Sequence, residues 1–212
     1  IITPSTVIDD PGFLSLPDQY HPGKSFVFKG WKALGIVDVK KAIAWSSDIF
    51  FYSVGGGFGS QKGLGIDRLA YLYRQFGLGI LTGIDVPGEA MGLIPTPEWK
   101  EKEKGEPWVL GNTYHLSIGQ GDLLVTPIEL ATAISAIANG GKIYKPKLVE
   151  SIFENKELES KIESQIVKKI EAPEENFIWV KRGMRATVNS TDGTAKILQS
   201  VNVPVAAKTG TA

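Results

Sequence analysis

Apolar residues recur at helical spacing in several stretches of this chain, and residues that start or stop helices bracket each stretch. Ile66, Leu69, Leu72, Tyr73 and Phe76 fall on one face of a helix over residues 66–76, with Gly77 as its stop. Thr126-Pro127-Ile128-Glu129 combines a capping box with proline at the first helical position. Leu130, Ile134, Ile137 and Ala138 carry that helix's apolar face onward, and Asn139-Gly140-Gly141 closes it. Phe177, Val180, Met184 and Val188 form another stripe, broken at Asp192-Gly193 and followed by a short helical turn over residues 194–198. Two shorter helices are predicted earlier. One follows Asp38 and runs from Val39 to Trp45; it stops at Ser46-Ser47-Asp48, whose short polar side chains compete for backbone hydrogen bonds. The second runs from Ile49 to about Val54, capped by Ser47 or Asp48 and ended by Gly55-Gly56-Gly57.

Strand signals are fewer. Ile143-Tyr144 and residues 148–152 read as short strands around a polar turn, and Val203-Pro204-Val205-Ala206-Ala207-Lys208 reads as a strand with proline near its start. Residues 1–36, with the turn Asp9-Asp10-Pro11-Gly12, and residues 78–112, with a charged stretch at 100–104, show little periodicity and read as irregular. The aromatics Trp45, Phe50, Phe51 and Tyr52 are expected in the core.

Composition narrows the function. Lys+Arg and Asp+Glu both number 23, a balance unlike the basic face of a nucleic-acid binder, so no nucleic-acid partner is expected. There is no cysteine, hence no disulfide framework, thiolate metal site or thiol nucleophile. No apolar run approaches the roughly 18 to 20 residues that cross a bilayer. The chain opens on Ile1 without a signal peptide and closes as a strand pattern begins. It is therefore expected to be one partial domain over residues 1–212, truncated at both ends.

Two constellations carry chemistry. Lys208-Thr209-Gly210-Thr211 puts a cation, a hydroxyl and a side-chain-free position in succession after an apolar segment. Ser46-Ser47-Asp48 interrupts two helices and precedes it; alone, such a triplet is a good helix cap. Lys-Thr-Gly is one of three short motifs of penicillin-binding proteins and serine β-lactamases, and Ser-x-Asn is another, with Asp48 here in the Asn place. The wider sequence resembles class B penicillin-binding protein transpeptidases block by block. The blocks are Lys41-Ala42-Ile43-Ala44-Trp45-Ser46-Ser47-Asp48-Ile49-Phe50-Phe51-Tyr52, Phe76-Gly77-Leu78-Gly79, Thr82-Gly83-Ile84-Asp85, Ser117-Ile118-Gly119-Gln120-Gly121 with Thr126-Pro127, Asn139-Gly140-Gly141, and Gly193-Thr194-Ala195. Asp48 in the third motif position is similar to the penicillin-binding protein 2 branch, associated with cell elongation.

The resemblance implies an α+β fold, a helical subdomain plus an antiparallel sheet as in serine β-lactamases. It implies a peptidoglycan D,D-transpeptidase that cross-links stem peptides through an acyl-serine, is acylated by β-lactam antibiotics and needs no cofactor. Ser46, Asp48 and Lys208 would be catalytic: Ser46 relays a proton and Asp48 orients groups. Ser47, Thr209, Gly210 and Thr211 would bind substrate: Lys208 and Thr209 hold the terminal carboxylate and the Thr211 N–H helps form an oxyanion hole. A membrane glycan polymerase of the elongation machinery is the implied partner, and the outer face of the cytoplasmic membrane the implied location. A D,D-carboxypeptidase or β-lactamase on the same fold, or a non-catalytic β-lactam sensor, are the alternatives.

The third motif, the nucleophile's Ser-x-x-Lys, is missing: no serine has lysine three positions on. In the family it lies shortly upstream of sequence like residues 1–12, so truncation is the expected cause, the later sheet strands being absent as well. His21 and His115 show no triad context. Asp9, Asp10, Asp18 and His21 follow no standard metal spacing, and no metal is expected. Gly55-Gly56-Gly57-Phe58-Gly59 lacks the Gly-Lys-Ser/Thr of a phosphate loop.

Overall fold

The computed structural model describes residues 1–18 and 21–210. In chain order the elements are β1 (Val7–Asp10), β2 (Phe13–Pro17), β3 (Ser25–Lys29), β4 (Gly35–Asp38), α1 (Val39–Ala44), α2 (Asp48–Gly56), α3 (Ile66–Gln75) and α4 (Pro97–Lys104). Then come α5 (Leu110–Ser117), α6 (Pro127–Ala138), β5 (Lys142–Tyr144), β6 (Ser151–Glu154), β7 (Glu157–Lys161), β8 (Ile166–Lys169), α7 (Glu174–Asn189) and a 3-10 helix (Lys196–Ser200). The architecture is mixed, helices with two-stranded antiparallel ladders, and it divides into two compact units.

The first unit joins Ile1–Ile66, Val109–Gly121 and Ile178–Ala212. Its opening stretch is not irregular, as the sequence suggests. β1 pairs with β4 and β2 with β3, both antiparallel. Strands of four or five residues are too short to establish a period, and β1 finds its partner some 25 residues on. Leu14 and its cross-strand partner Phe28 face inward, where Leu14, Ile49, Tyr52 and Tyr114 are buried together. The Phe28 ring stands edge-on to Tyr114 with centroids 4.9 Å apart, the favoured aromatic geometry. Tyr114 comes from α5, a helix missed in the sequence, and its hydroxyl donates to the Gly57 carbonyl (2.6 Å) at the end of α2. Val37, Ala42 and Phe50 form a second cluster, with Trp45 and Phe51 partly buried against it.

The helix starts are local and fall where expected. The Asp38 carboxylate accepts the Lys41 N–H, and the Ser47 hydroxyl accepts the Phe50 N–H. Gly57, at φ +87°, ends α2, as the glycine run implies. From Ile178 onward α7 lies in this unit, with Gly183 pressed against Ile43 of α1. The segment 203–210 is not a strand. A strand exists only as part of a ladder, and here the Ala207 N–H donates instead to the Met184 carbonyl (3.0 Å) and Arg185 donates to the Val205 carbonyl.

The second unit joins Asp67–Trp108 and Asp122–Phe177. The charged stretch at 100–104, read as loop, is the helix α4: Thr96 caps it by accepting the Trp99 N–H, Pro97 opens it, and Gly105 in the left-handed region ends it. α6 has the expected capping box, and its Glu129 carboxylate, fully buried, accepts the N–H groups of Thr126 and Gly92. Ala136, Ile143, Ile170 and Phe177 make the core here, with Phe76 against them. β5 does not turn back onto residues 148–152. The Asp85 carboxylate takes the N–H groups of Leu148 and Val149, so β5 pairs with β8 and β6 with β7.

Candidate active site

The bend between α1 and α2 places one hydroxyl outward and one inward. The Trp45 N–H donates to the Lys41 carbonyl and the Ser47 N–H to the Ala42 carbonyl, which pulls the chain tight. Ser46 between them takes φ +55°, a conformation unusual for a residue with a side chain. The Trp31 indole N–H bridges the carbonyls of Trp45 and Ser46 at 3.0 and 3.1 Å and pins the bend from outside. The Lys208 ammonium donates to the Ser46 hydroxyl at 2.8 Å, across 162 residues of sequence, and to the Thr209 carbonyl at 2.7 Å. The Thr209 and Thr194 hydroxyls are 2.8 Å apart, so the Gly193-Thr194-Ala195 block sits beside the Lys-Thr-Gly element.

Electrostatics around this pair are balanced against full charge. Burial raises the Asp48 carboxyl above its ordinary range and the Asp10 carboxylate adds to the rise; Lys208 and the Trp31 backbone N–H oppose both. Partial desolvation lowers the Lys208 amine, opposed by Asp48. The Tyr52 phenol is pushed up to about 12 by burial, with Asp48 adding to it. An ammonium held below its usual range, touching a serine hydroxyl, can pass a proton through that hydroxyl at less cost than an ordinary lysine.

Of the residues singled out in the sequence, Ser46, Asp48, Lys208 and Thr209 therefore come together. Ser47 does not join them. It is fully buried, its hydroxyl donating to Asp10 (2.5 Å) and accepting from Phe50, so it offers no surface to a substrate. Gly210 is exposed, with nothing within 4 Å of where a Cβ would stand, and Thr211 lies outside the described residues. Two contributors were missed. In the sequence Asp10 falls in a turn signal and Trp31 in a stretch without periodicity, and neither carries a motif. His21 bonds Asp18 at 2.8 Å and His115 meets the Phe28 ring edge-on. Among the described residues no group of three or more His, Asp or Glu is placed to hold a metal ion.

Comparison with known proteins agrees with this geometry. The family model for the penicillin binding protein transpeptidase domain matches residues 1–212. The peptidoglycan D,D-transpeptidase MrdA of Haemophilus influenzae is 39% identical over the whole of this chain and 31% of its own length. That of Acinetobacter baumannii is 34% identical over the whole chain and 30% of its length. The chain thus spans about a third of the length of the curated relatives it matches. Among solved structures, penicillin-binding protein PBP2 of Helicobacter pylori in complex with MreC superposes with a TM-score of 0.81 at 29% identity, over all of this chain and 36% of that one. Pseudomonas aeruginosa PBP2 in complex with WCK 5153 gives 0.79 at 31%, over all of this chain and 46% of that one. Whole-length family match, ordered motifs and the Ser46–Lys208 contact converge: the chain belongs to the penicillin binding protein transpeptidase domain family.

Proposed function

We propose that this chain is the part of a peptidoglycan D,D-transpeptidase that binds the substrate terminus and relays the proton, with residues 1–212 a partial transpeptidase domain. The observation that carries the reading is the 2.8 Å contact from Lys208 to the Ser46 hydroxyl. In the proposed reaction the terminal carboxylate of a D-alanyl-D-alanine stem peptide lies against Lys208 and the Thr209 hydroxyl. A serine oxygen attacks the penultimate carbonyl, the C–N bond breaks, and the departing D-alanine amine takes a proton through Ser46. The amine of a second stem peptide then attacks the acyl-serine carbonyl, the ester C–O bond to the serine breaks, and the amine's proton returns to the serine oxygen along the same path. Asp48 keeps Lys208 in place, and the Thr211 N–H is proposed as an oxyanion donor. No serine of these 212 residues has lysine three positions on, so the attacking serine is taken to belong to sequence beyond them.

A β-lactam would enter as the dipeptide end does, its ring amide opening onto the same serine. The elongation branch, a glycan polymerase partner and the outer face of the cytoplasmic membrane are proposed from the family resemblance; the relatives solved in a complex with MreC and in a peptidoglycan synthase complex support a partner assembly of that kind. No helix among the described residues is long and apolar enough to cross a membrane.

The test is acylation by a fluorescent penicillin. The natural protein that contains this chain and a Ser-x-x-Lys is expected to label, and its Lys208→Ala variant, which removes the proton relay's ammonium, to label at least about a hundredfold more slowly. The 212-residue chain alone is expected not to label. Covalent labelling of that chain, or full-speed labelling of the lysine variant, would mean the active centre is misread.

A further inference from the structure

Asp10 and Ser47 form a buried polar pair beneath the bend. Asp10 is 1% exposed and Ser47 0%, at opposite ends of 37 residues of sequence. One Asp10 oxygen accepts the Ser47 hydroxyl at 2.5 Å and the other accepts the Gly12 N–H at 2.9 Å, so both oxygens are anchored. The same Ser47 hydroxyl accepts the Phe50 N–H that starts α2, and the Asp10 carbonyl accepts the Leu34 N–H. A buried carboxylate is costly unless fully bonded, and an apolar pair would hold a turn as well for stability alone. What the pair adds is direction. Immediately before Ser47 the chain must pass through the φ +55° conformation of Ser46, and that is the conformation in which the Ser46 hydroxyl meets Lys208.

We propose that Asp10 is a positioning residue of this site: through the Ser47 hydroxyl it locks the bend that aims Ser46 at Lys208. The inference rests on the transpeptidase reading above. Its second effect is electrostatic. The groups facing Asp48 are Lys208, Asp10, Tyr52 and the Trp31 N–H, and of these Asp10 alone is a second carboxylate. Its charge pushes Asp48 toward protonation, so neutralising Asp10 lowers the pH at which Asp48 takes up a proton.

The experiment uses the natural protein containing this chain and a Ser-x-x-Lys. Active sites are titrated with fluorescent penicillin, and acylation rate per titrated site is followed against pH for the parent, Asp10→Asn and Ser47→Ala. Misplacing a reacting group by about 1 Å costs up to about a hundredfold, so each variant is expected to lose about tenfold or more per site. Asp10→Asn also moves the acidic limb to lower pH, while Ser47→Ala, which keeps the Asp10 charge, does not. A role in stability alone would lower the melting temperature and the number of titratable sites but leave the per-site rate and the limb where they are; that result overturns the inference. If Asp10→Asn yields no folded protein, Ser47→Ala decides, since it cuts the same bridge from the other side. A parent that takes up no label would sink the functional proposal instead. The bridge is then judged by a crystal structure of Ser47→Ala, where a Ser46 still left-handed and in contact with Lys208 would refute it.

Discussion

Gly183 is where helix α7 touches the helix that leads into the site, and adding one methyl group there tests whether that crossing sets the site's geometry. A Cβ built at Gly183 stands 2.8 Å from the Cβ and Cδ1 of Ile43 and 3.0 Å from its Cγ2. Comfortable carbon contacts lie at about 3.5 to 4.0 Å, so the two helices must part by something near 1 Å. Ile43 cannot swing clear, because one contact is to its Cβ and a β-branched side chain in a helix is held to about one rotamer. The displacement travels directly to the bend. The Thr187 hydroxyl donates to the Ile43 carbonyl (3.4 Å), the Thr194 N–H donates to the Ala44 carbonyl (3.3 Å), and Ser46 follows two residues later. Overpacking costs about 1 to 3 kcal/mol, and Gly→Ala in a helix returns up to about 1 kcal/mol. The net expectation for Gly183→Ala is a loss of about 1 kcal/mol, read as a melting temperature about 2 to 4 °C lower in a domain of this size. Acylation per titrated site is expected to fall about tenfold. Adding Ile43→Ala removes Cγ2 and Cδ1, so the double variant should be less destabilised than the sum of the singles by at least about 0.5 kcal/mol. A Gly183→Ala protein that melts no lower than the parent and acylates at full speed would refute the reasoning.

Two further outcomes follow from the same geometry. Tyr114→Phe removes the hydroxyl bond to the Gly57 carbonyl at the end of α2, costing about 0.5 to 1.5 kcal/mol by denaturant melt, and an unchanged midpoint would mean that bond contributes nothing. Asp48 has a folded pKa above its ordinary 3.8, so its contribution to stability is fully present below that value and is lost as pH rises through the folded pKa. Asp48→Asn, which carries no charge to bury, should therefore gain melting temperature relative to the parent as pH rises through that window and hold the gain above it; a difference running the other way would contradict a raised Asp48.

The helix starts were legible in the sequence because a cap is a local event: Asp38, Ser47 and Thr126 each satisfy an N–H three residues on, whatever the rest of the chain does. The same rule applied to Thr96-Pro97-Glu98 would have found α4, so that signal was present and outweighed by the charge around it. Ser46, Asp48 and Lys208 stand out in the sequence through their motifs, and the fold brings them together. Pairing was not. β1 with β4, β5 with β8, and residues 203–210 resting on α7 instead of joining a ladder all depend on partners far along the chain, and short strands carry too little pattern to name them. Nor does sequence say which serine of Ser46-Ser47 faces out. That was decided by the left-handed turn at Ser46 and by Asp10 coming up beneath Ser47, since burial is a property of what packs around a residue and not of the residue itself.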